Sequence, residues 1–262
     1  MESSKKILIA ILIFLSVVAN GQEAMFFGLL NTESSILKNG LFSCWELDET
    51  SGTTVNDSYT YGSRNGVNYN CTVNQTGKIG KAYELNKVNS SYIGGITKFI
   101  SDFPFSLSMW FYYTSEGHLF SSNVNSGTNK YGVTLKSVAS SGKMSFYIYY
   151  GQGTTSAVVL YVGNVSSLAT STWHHLVLTS SGYDYSQNTL YINNTSYACS
   201  YLTGSVSSVN WSTGTTEIGR DWVQAQYFSG RIDQVAVWGR VLSSSDVSLL
   251  YNSGNALTFI NW

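Results

Sequence analysis

From Gly40 onward the chain repeats one pattern, and this pattern restricts the fold more than any other feature of the sequence. Short runs rich in Val, Ile, Tyr, Phe and Trp are broken by Gly, Ser, Asn and Asp about every eight to twelve residues. Several runs alternate along the chain, as in Phe105–Tyr113 and Lys143–Tyr150, which predicts strands with one buried face. The pattern is typical of an all-β sandwich or jelly roll.

The predicted elements are almost all strands. A single short helix is predicted near the C-terminus, where Ser243 is the N-cap, Asp246 follows three residues later and Gly254 comes after the end. No linker interrupts the sequence, so residues 40–262 are expected to form one domain. The predicted strands are Leu41–Leu47, Ala82–Leu85, Tyr92–Ile93, Phe105–Tyr113, Gly117–Ser121, Tyr131–Lys136, Lys143–Tyr150, Ala157–Val162, Trp173–Ser180, Thr189–Ile192, Thr216–Gly219 and Phe228–Trp238.

The N-terminus has the pattern of an export signal. Lys5 and Lys6 precede a short apolar run, and the small residues Ala19 and Gly21 follow it. Residues 1–21 are therefore predicted to be a signal peptide, and residues 22–39 a leader or arm. The alternative is that residues 1–21 are retained as an apolar anchor, although the run is well short of the roughly 20 residues that span a bilayer. A secreted or cell-surface protein is expected.

Three cysteines, Cys44, Cys71 and Cys199, fall within the predicted domain. In an oxidising compartment one disulfide pair with one free thiol is expected. Three buried free thiols are the alternative, and the sequence does not choose between them.

Charge excludes one class of partner. Only 11% of the residues are charged and the formal net charge is −1, so no basic stripe is available for phosphate groups. We therefore expect no nucleic-acid partner.

Several blocks occur in a distinctive order. Gly40–Gly52 is followed by Phe105–Phe111, Trp173–Thr179, Leu190–Asn193 and Phe228–Trp238. In this order they resemble the laminin-G-like, concanavalin-A-like jelly-roll domains of lectins and glucanases. The resemblance implies a two-sheet antiparallel sandwich with one short C-terminal helix. It does not by itself imply an activity, because this fold hosts lectins, adhesion modules, glycosidases and virion proteins.

One departure from the family pattern lies at a hairpin tip. Members of the family commonly carry Gly at the position of Asn194, because the turn requires a positive φ. Asn tolerates that conformation at a modest cost.

The acidic segment Glu46–Glu49 is the strongest enzymatic signal, and it is incomplete. Retaining glucanases of this fold place acids at three alternate strand positions, but here Glu46 and Asp48 are followed by Thr50. His174 and His175 are adjacent on a strand, so they are predicted to point to opposite faces. We therefore expect no catalytic site.

Calcium is the one cofactor that the resemblance suggests, because related jelly rolls often hold a hard cation with loop oxygens. Asp233 is the first candidate ligand and Asp57 the second. Hydrogen bonding of these carboxylates to the backbone is the alternative.

Tyrosine and tryptophan give the clearest functional signal. Sugars stack their C–H faces on flat rings, and predicted turns place Tyr59, Tyr61, Trp222 and Tyr227 where they can contact a ligand. We therefore expect a non-catalytic exported or surface-exposed adhesion module that binds a glycan or a cell-surface protein. The alternative is a decoration or fibre protein of a virion such as a bacteriophage particle, and a glycoside hydrolase is the third hypothesis.

Overall fold

The alternating runs form two large antiparallel sheets, as the sequence predicts. The computed structural model describes residues 36–59, 64–126, 129–140, 143–153, 156–166, 168–204, 214–221 and 226–262. The strands of the first half are β1 (Leu41–Trp45), β2 (Thr54–Val55), β3 (Gly66–Tyr69), β4 (Thr72–Thr76), β5 (Lys81–Leu85), β6 (Tyr92–Thr97), β7 (Phe105–Ser115), β8 (Gly117–Ser126), β9 (Asn129–Ser140) and β10 (Lys143–Gly153).

The second half of the chain continues with short and long strands and ends in the predicted helix. The strands are β11 (Ser156–Ser166), β12 (Trp173–Ser180), β13 (Asn188–Ile192), β14 (Thr195–Ala198), β15 (Ser200–Thr203), β16 (Thr215–Ile218), β17 (Arg220–Asp221), β18 (Gln226–Tyr227) and β19 (Ser229–Trp238). Helix α1 covers Ser244–Tyr251, and four 3-10 turns cover Lys87–Asn89, Tyr185–Gln187, Asn252–Gly254 and Phe259–Asn261.

Within the described residues, one sheet has eight strands and the other has nine. The eight-stranded sheet runs β14-β13-β12-β7-β19-β5-β4, and β1 pairs with the far half of β19. The nine-stranded sheet runs β15-β11-β10-β9-β8-β16-β6-β3-β2, while β17 and β18 form a separate ribbon. Because β8, β9, β10 and β11 follow one another as a meander, their outward side chains lie side by side.

The two sheets pack face to face over one apolar core. Phe111 on β7 of the eight-stranded sheet meets Phe146 on β10 of the nine-stranded sheet with ring centroids 6.2 Å apart at 83°. Both rings are completely buried. Edge-to-face packing of this kind joins the sheets into one folding unit.

Helix α1 has the predicted cap. The Ser243 hydroxyl accepts a hydrogen bond from the Asp246 backbone N–H, and the Asp246 carboxylate accepts one from the Ser243 backbone N–H. The reciprocal pair satisfies two donors that the first turn leaves without helical partners.

The chain divides into two compact units, one of which is Gly40–Phe259. The described residues of the other are 36–39 and 260–262, of which 36–38 are helical. In the described part of the chain no helix is long and apolar enough to cross a membrane. The predicted signal peptide, residues 1–21, lies outside the described residues.

The first strand differs from its predicted bounds. It ends at Trp45 rather than at Leu47, because Leu47 adopts a φ of 63° and leaves the extended conformation. Leu47 stays buried while the chain turns, so Glu46 and Asp48 do not lie on a strand.

Cys44, Cys71 and Cys199 are free and buried in the structure, and a disulfide between two of them in an oxidising compartment stays a prediction. Burial raises the pKa of Cys71 and of Cys199 to about 12, which keeps both thiols protonated.

Candidate functional site

The outer face of the nine-stranded sheet carries a band of tyrosines. On β10, Phe146 and Ile148 belong to the core, so Tyr147 and Tyr149 between and beside them point outward. The band, called the tyrosine face below, contains Tyr69, Tyr92, Tyr147, Tyr149, Tyr161 and Tyr227. All of these rings are half-buried or exposed, so each can contact a ligand.

One end of the tyrosine face is built around Tyr92 on β6. The ring of Tyr92 stacks on Tyr69 of β3 with centroids 4.5 Å apart and planes 6° apart. The Arg220 guanidinium lies 4.1 Å from the Tyr92 centroid and 5.7 Å from that of Tyr227. These cation–π contacts hold Tyr92 and Tyr227 beside each other, and the four residues are called the Tyr92 cluster.

Two glycines make this packing feasible. A Cβ on Gly94 would lie 2.6 Å from a ring carbon of Tyr92, so only glycine leaves room for the stacked rings. Gly219 has a φ of 82°, and a side chain there would collide with Leu85. This turn at Gly219 directs the chain from β16 into β17, which brings Arg220 under Tyr92.

Buried charges lie beneath the Tyr92 cluster. The Arg220 Nε is 3.2 Å from the Glu217 carboxylate, and both side chains are largely buried. Burial raises the pKa of Glu217 to about 7, although Arg220 opposes the shift. Burial also lowers the pKa of His118 to about 4, so at neutral pH its 3.9 Å contact with Asp221 involves a neutral imidazole. Arg220 is thus fixed from below while its upper face stays on the tyrosines.

The other end of the tyrosine face is built around Tyr147. Its ring centroid lies 5.2 Å from that of Tyr161 on β11 and 6.4 Å from that of Tyr149. The hydroxyls of Tyr161 and Ser145 lie 3.1 Å apart, within hydrogen-bond distance. These four residues, called the Tyr147 cluster, combine flat rings with hydroxyl groups.

Lys136 on β9 connects the two clusters. It is the cross-strand neighbour of His118 on β8 and of Tyr147 on β10. Its ammonium donates a hydrogen bond of 3.1 Å to the Gln226 side chain, which precedes Tyr227. The strip between the clusters is therefore polar and charged.

The structure brings only part of the predicted ligand set together. Tyr227 belongs to the Tyr92 cluster, whereas Tyr61 and Trp222 lie outside the described residues. Tyr59 follows Asp57 in a turn in which its backbone N–H donates to the Asp57 carboxylate. Sequence reasoning missed Tyr69, Tyr92 and the Tyr147 cluster, although alternation on β10 was the available signal.

The two predicted calcium ligands both bind backbone groups. The Asp57 carboxylate accepts hydrogen bonds from the N–H groups of Cys44 and Tyr59. The Asp233 carboxylate accepts bonds of 2.7 and 2.9 Å from the N–H groups of Lys78 and Ile79. Among the described residues no group of three His, Cys, Asp or Glu side chains could hold a metal ion, and calcium binding stays a prediction.

Asp48 and Glu49 of the acidic segment and the two histidines of β12 contact neighbouring protein groups. The Asp48 carboxylate accepts the backbone N–H of Lys81, and that of Glu49 accepts the backbone and side-chain N–H groups of Asn56. His174 and His175 point to opposite faces, as predicted. His174 lies near Phe111 of the core, whereas His175 stacks on Trp110 and Tyr251.

Solved structures share this fold at low sequence identity. Domain 4 of AbnA, a GH43 extracellular arabinanase from Geobacillus stearothermophilus, solved with arabinotriose, superposes with a TM-score of 0.54 and 19% identity over 83% of this chain and 98% of that one. A Trypanosoma rangeli sialidase in complex with sialic acid superposes with a TM-score of 0.59 and 15% identity, over 83% of this chain and 33% of that one.

The binding domain of botulinum neurotoxin serotype C1 gives a TM-score of 0.59 and 12% identity, over 83% of this chain and 52% of that one. The chain therefore spans about a third of the sialidase and about half of the toxin domain. No curated protein sequence matches the chain. A family pattern does match residues 88–248, which is more than half of the chain and includes most of both sheets. The chain belongs to the concanavalin A-like lectin/glucanases superfamily.

Proposed function

We propose that this protein is a non-catalytic binding module whose tyrosine face binds glycans. The observation that best supports this proposal is the Tyr92 cluster. The rings of Tyr69 and Tyr92 are stacked, and the largely buried Arg220 guanidinium contacts the rings of Tyr92 and Tyr227. Rigid flat rings present the apolar surface on which sugar C–H faces stack. Neighbouring hydroxyl, amide and charged groups supply partners for sugar hydroxyls.

The family and its neighbours support a glycan as the ligand. The superfamily is that of lectins and glucanases, and the AbnA domain, which the chain covers almost fully, was solved with arabinotriose. Because one fold hosts many activities, the side chains of the tyrosine face, and not the fold, are the main support for glycan binding.

Two observations support a non-catalytic role. A retaining hydrolase needs two carboxyl groups about 5 Å apart across a scissile bond. Here Glu46 and Asp48 follow the end of β1, and the Asp48 carboxylate accepts a backbone N–H. Glu217 on the tyrosine face is deeply buried beside Arg220, which restricts contact with a substrate.

The test is a glycan array probed with the wild type and with Tyr92→Ala and Tyr227→Ala. The wild type should bind a limited set of glycans, and each substitution should weaken binding by up to roughly tenfold, because a stacking contact on one ring is worth about 0.5–1.5 kcal/mol. Tyr185→Ala is the matched control, since Tyr185 is exposed on the turn between β12 and β13, away from the face. A wild type that binds no glycan, with or without calcium, would refute the proposal.

Export belongs to the same proposal and has its own test. The charged and apolar pattern of residues 1–21 supports secretion. Mass spectrometry of the native protein should find a mature start at Gln22. An intact Met1 in a purified particle would instead favour a protein of a virion assembly.

A further inference from the structure

The tyrosine face has two aromatic clusters rather than one. The Tyr92 cluster lies on β3, β6, β17 and β18, and the Tyr147 cluster lies on β10 and β11. Among the described residues, the tyrosine rings of each cluster contact one another, and no ring contact joins the two clusters. A ligand that touches both must therefore cross the strip between them.

Strand order sets the distance between the clusters. In the nine-stranded sheet β6 and β10 are separated by β16, β8 and β9. Four interstrand steps of about 4.8 Å place Tyr92 and Tyr147 about 19 Å apart along the sheet. One sugar ring covers roughly one such step, so about five linked sugars would place one ring at each end of the four steps.

The polar side chains of the strip favour a polar ligand of that length over an apolar one. At the surface between the clusters lie Lys136, which is half-buried, and Gln226, which is exposed, and the Lys136 ammonium donates a hydrogen bond to the Gln226 side chain. Glu217, Asp221 and His118 are buried below. An apolar helix or lipid chain laid over this strip would take the Lys136 ammonium and the Gln226 amide out of water, which is costly. A linear oligosaccharide suits the pattern, because its rings stack at the two ends and its hydroxyls face the polar middle.

We infer that the tyrosine face binds linear oligosaccharides of about five or more sugars laid across the strands, with one sugar stacked on Tyr92 and another on Tyr147. The inference rests on the proposed glycan-binding function and specifies the ligand of that face. The two clusters act as linked binding sites, so engaging the second raises affinity without a new contact at the first.

The experiment is isothermal titration of the full chain with cello-, xylo-, manno- and arabino-oligosaccharides of two to six sugars. For the series that binds, affinity should rise by at least about tenfold between two and five sugars and then change little between five and six. Tyr147→Ala should reduce affinity for the six-sugar ligand to about that of the disaccharide, while Tyr147→Phe, which keeps the ring, should retain most of the gain.

The outcomes separate this inference from the proposed function. If a disaccharide binds the wild type and Tyr92→Ala abolishes that binding, but affinity is independent of length and Tyr147→Ala has no effect, only the inference is overturned. If no series and no arrayed glycan binds the wild type, both are overturned. Tyr201→Ala is the control for the exposed edge strand β15, and its affinity should be unchanged at every length.

Discussion

Asp233 shows how one buried carboxylate organises a distant turn. It lies where β19 changes partner from β5 to β1, and it accepts the backbone N–H groups of Lys78 and Ile79. Removing the acceptor leaves two amides unsatisfied, so Asp233→Ala should lower the free energy of unfolding by about 1–3 kcal/mol. Asp233→Asn keeps a carbonyl oxygen and should lose less. Urea denaturation of the two variants measures the difference.

The same residue predicts a pH dependence. Burial, with the nearby Asp48 charge, raises the pKa of Asp233 to about 8, although the two backbone N–H groups oppose the shift. The folded state therefore holds this proton over a pH range in which the unfolded chain has released it. Stability should fall as pH rises from about 4 to about 8. Asp233→Asn cannot titrate and should flatten that part of the profile, and an unchanged slope would contradict the assignment.

A rise in Tm with calcium that Asp233→Asn lacks would establish the predicted calcium site.

The residues of the candidate site differ in how far the sequence predicts their exposure. Tyr227 is predicted as a turn residue just before the strand that begins at Phe228, whereas in the structure it lies on the two-residue strand β18. Tyr92 and Tyr147 lie on strands, where an aromatic side chain fits either the core or an outer face. Their exposure depends on the register that places Phe146 and Ile93 in the core. Arg220 depends on the turn at Gly219, a long-range feature that no local pattern indicates.

Among the elements, the β13–β14 hairpin offers a direct test of turn chemistry. Asn193 and Asn194 at its tip have φ values of 49° and 66°, as the required positive φ predicts. Asn194→Gly should raise the free energy of unfolding by up to about 1 kcal/mol, because glycine adopts this conformation without a Cβ penalty. Thermal denaturation followed by circular dichroism would measure the gain.

The neighbouring position is the matched control. The Asn193 side-chain oxygen accepts the His175 backbone N–H at 2.9 Å, and its amide lies 3.1 Å from His174 Nδ1. Asn193→Gly should therefore destabilise the protein by about 1 kcal/mol although its φ is also positive. Equal effects of the two substitutions would show that backbone conformation alone decides the stability of this turn.

The extent to which a strand is buried decides whether the sequence predicts it. Long strands such as β7, β10 and β19 bury one face or both, so their apolar pattern is strong. The short strands β14 and β15 bury little, and all four residues of β15 are exposed. Their pairing depends on the strands beside them, so the sequence carries no periodic signal for them.

For the whole molecule, the sandwich in Gly40–Phe259 should unfold as one unit because the two sheets share a core. Trp45, Trp110, Trp173 and Trp238 lie on β1, β7, β12 and β19 of the eight-stranded sheet, whereas Phe146 lies on β10 of the other. Phe146→Ala should cost about 3–5 kcal/mol. The loss should appear equally in tryptophan fluorescence and in far-ultraviolet circular dichroism during urea unfolding.

The control is Val88→Ala, since Val88 is 83% exposed on the 3-10 turn after β5 and should change neither transition. Fluorescence is the informative probe because these four tryptophans are on the sheet that Phe146→Ala does not alter. If the fluorescence midpoint stayed at its wild-type value while circular dichroism shifted, the sheets would unfold separately. A coincident shift instead means that both faces of the core hold the tyrosine face in position, because its strands cannot keep their register without the sheet beneath them.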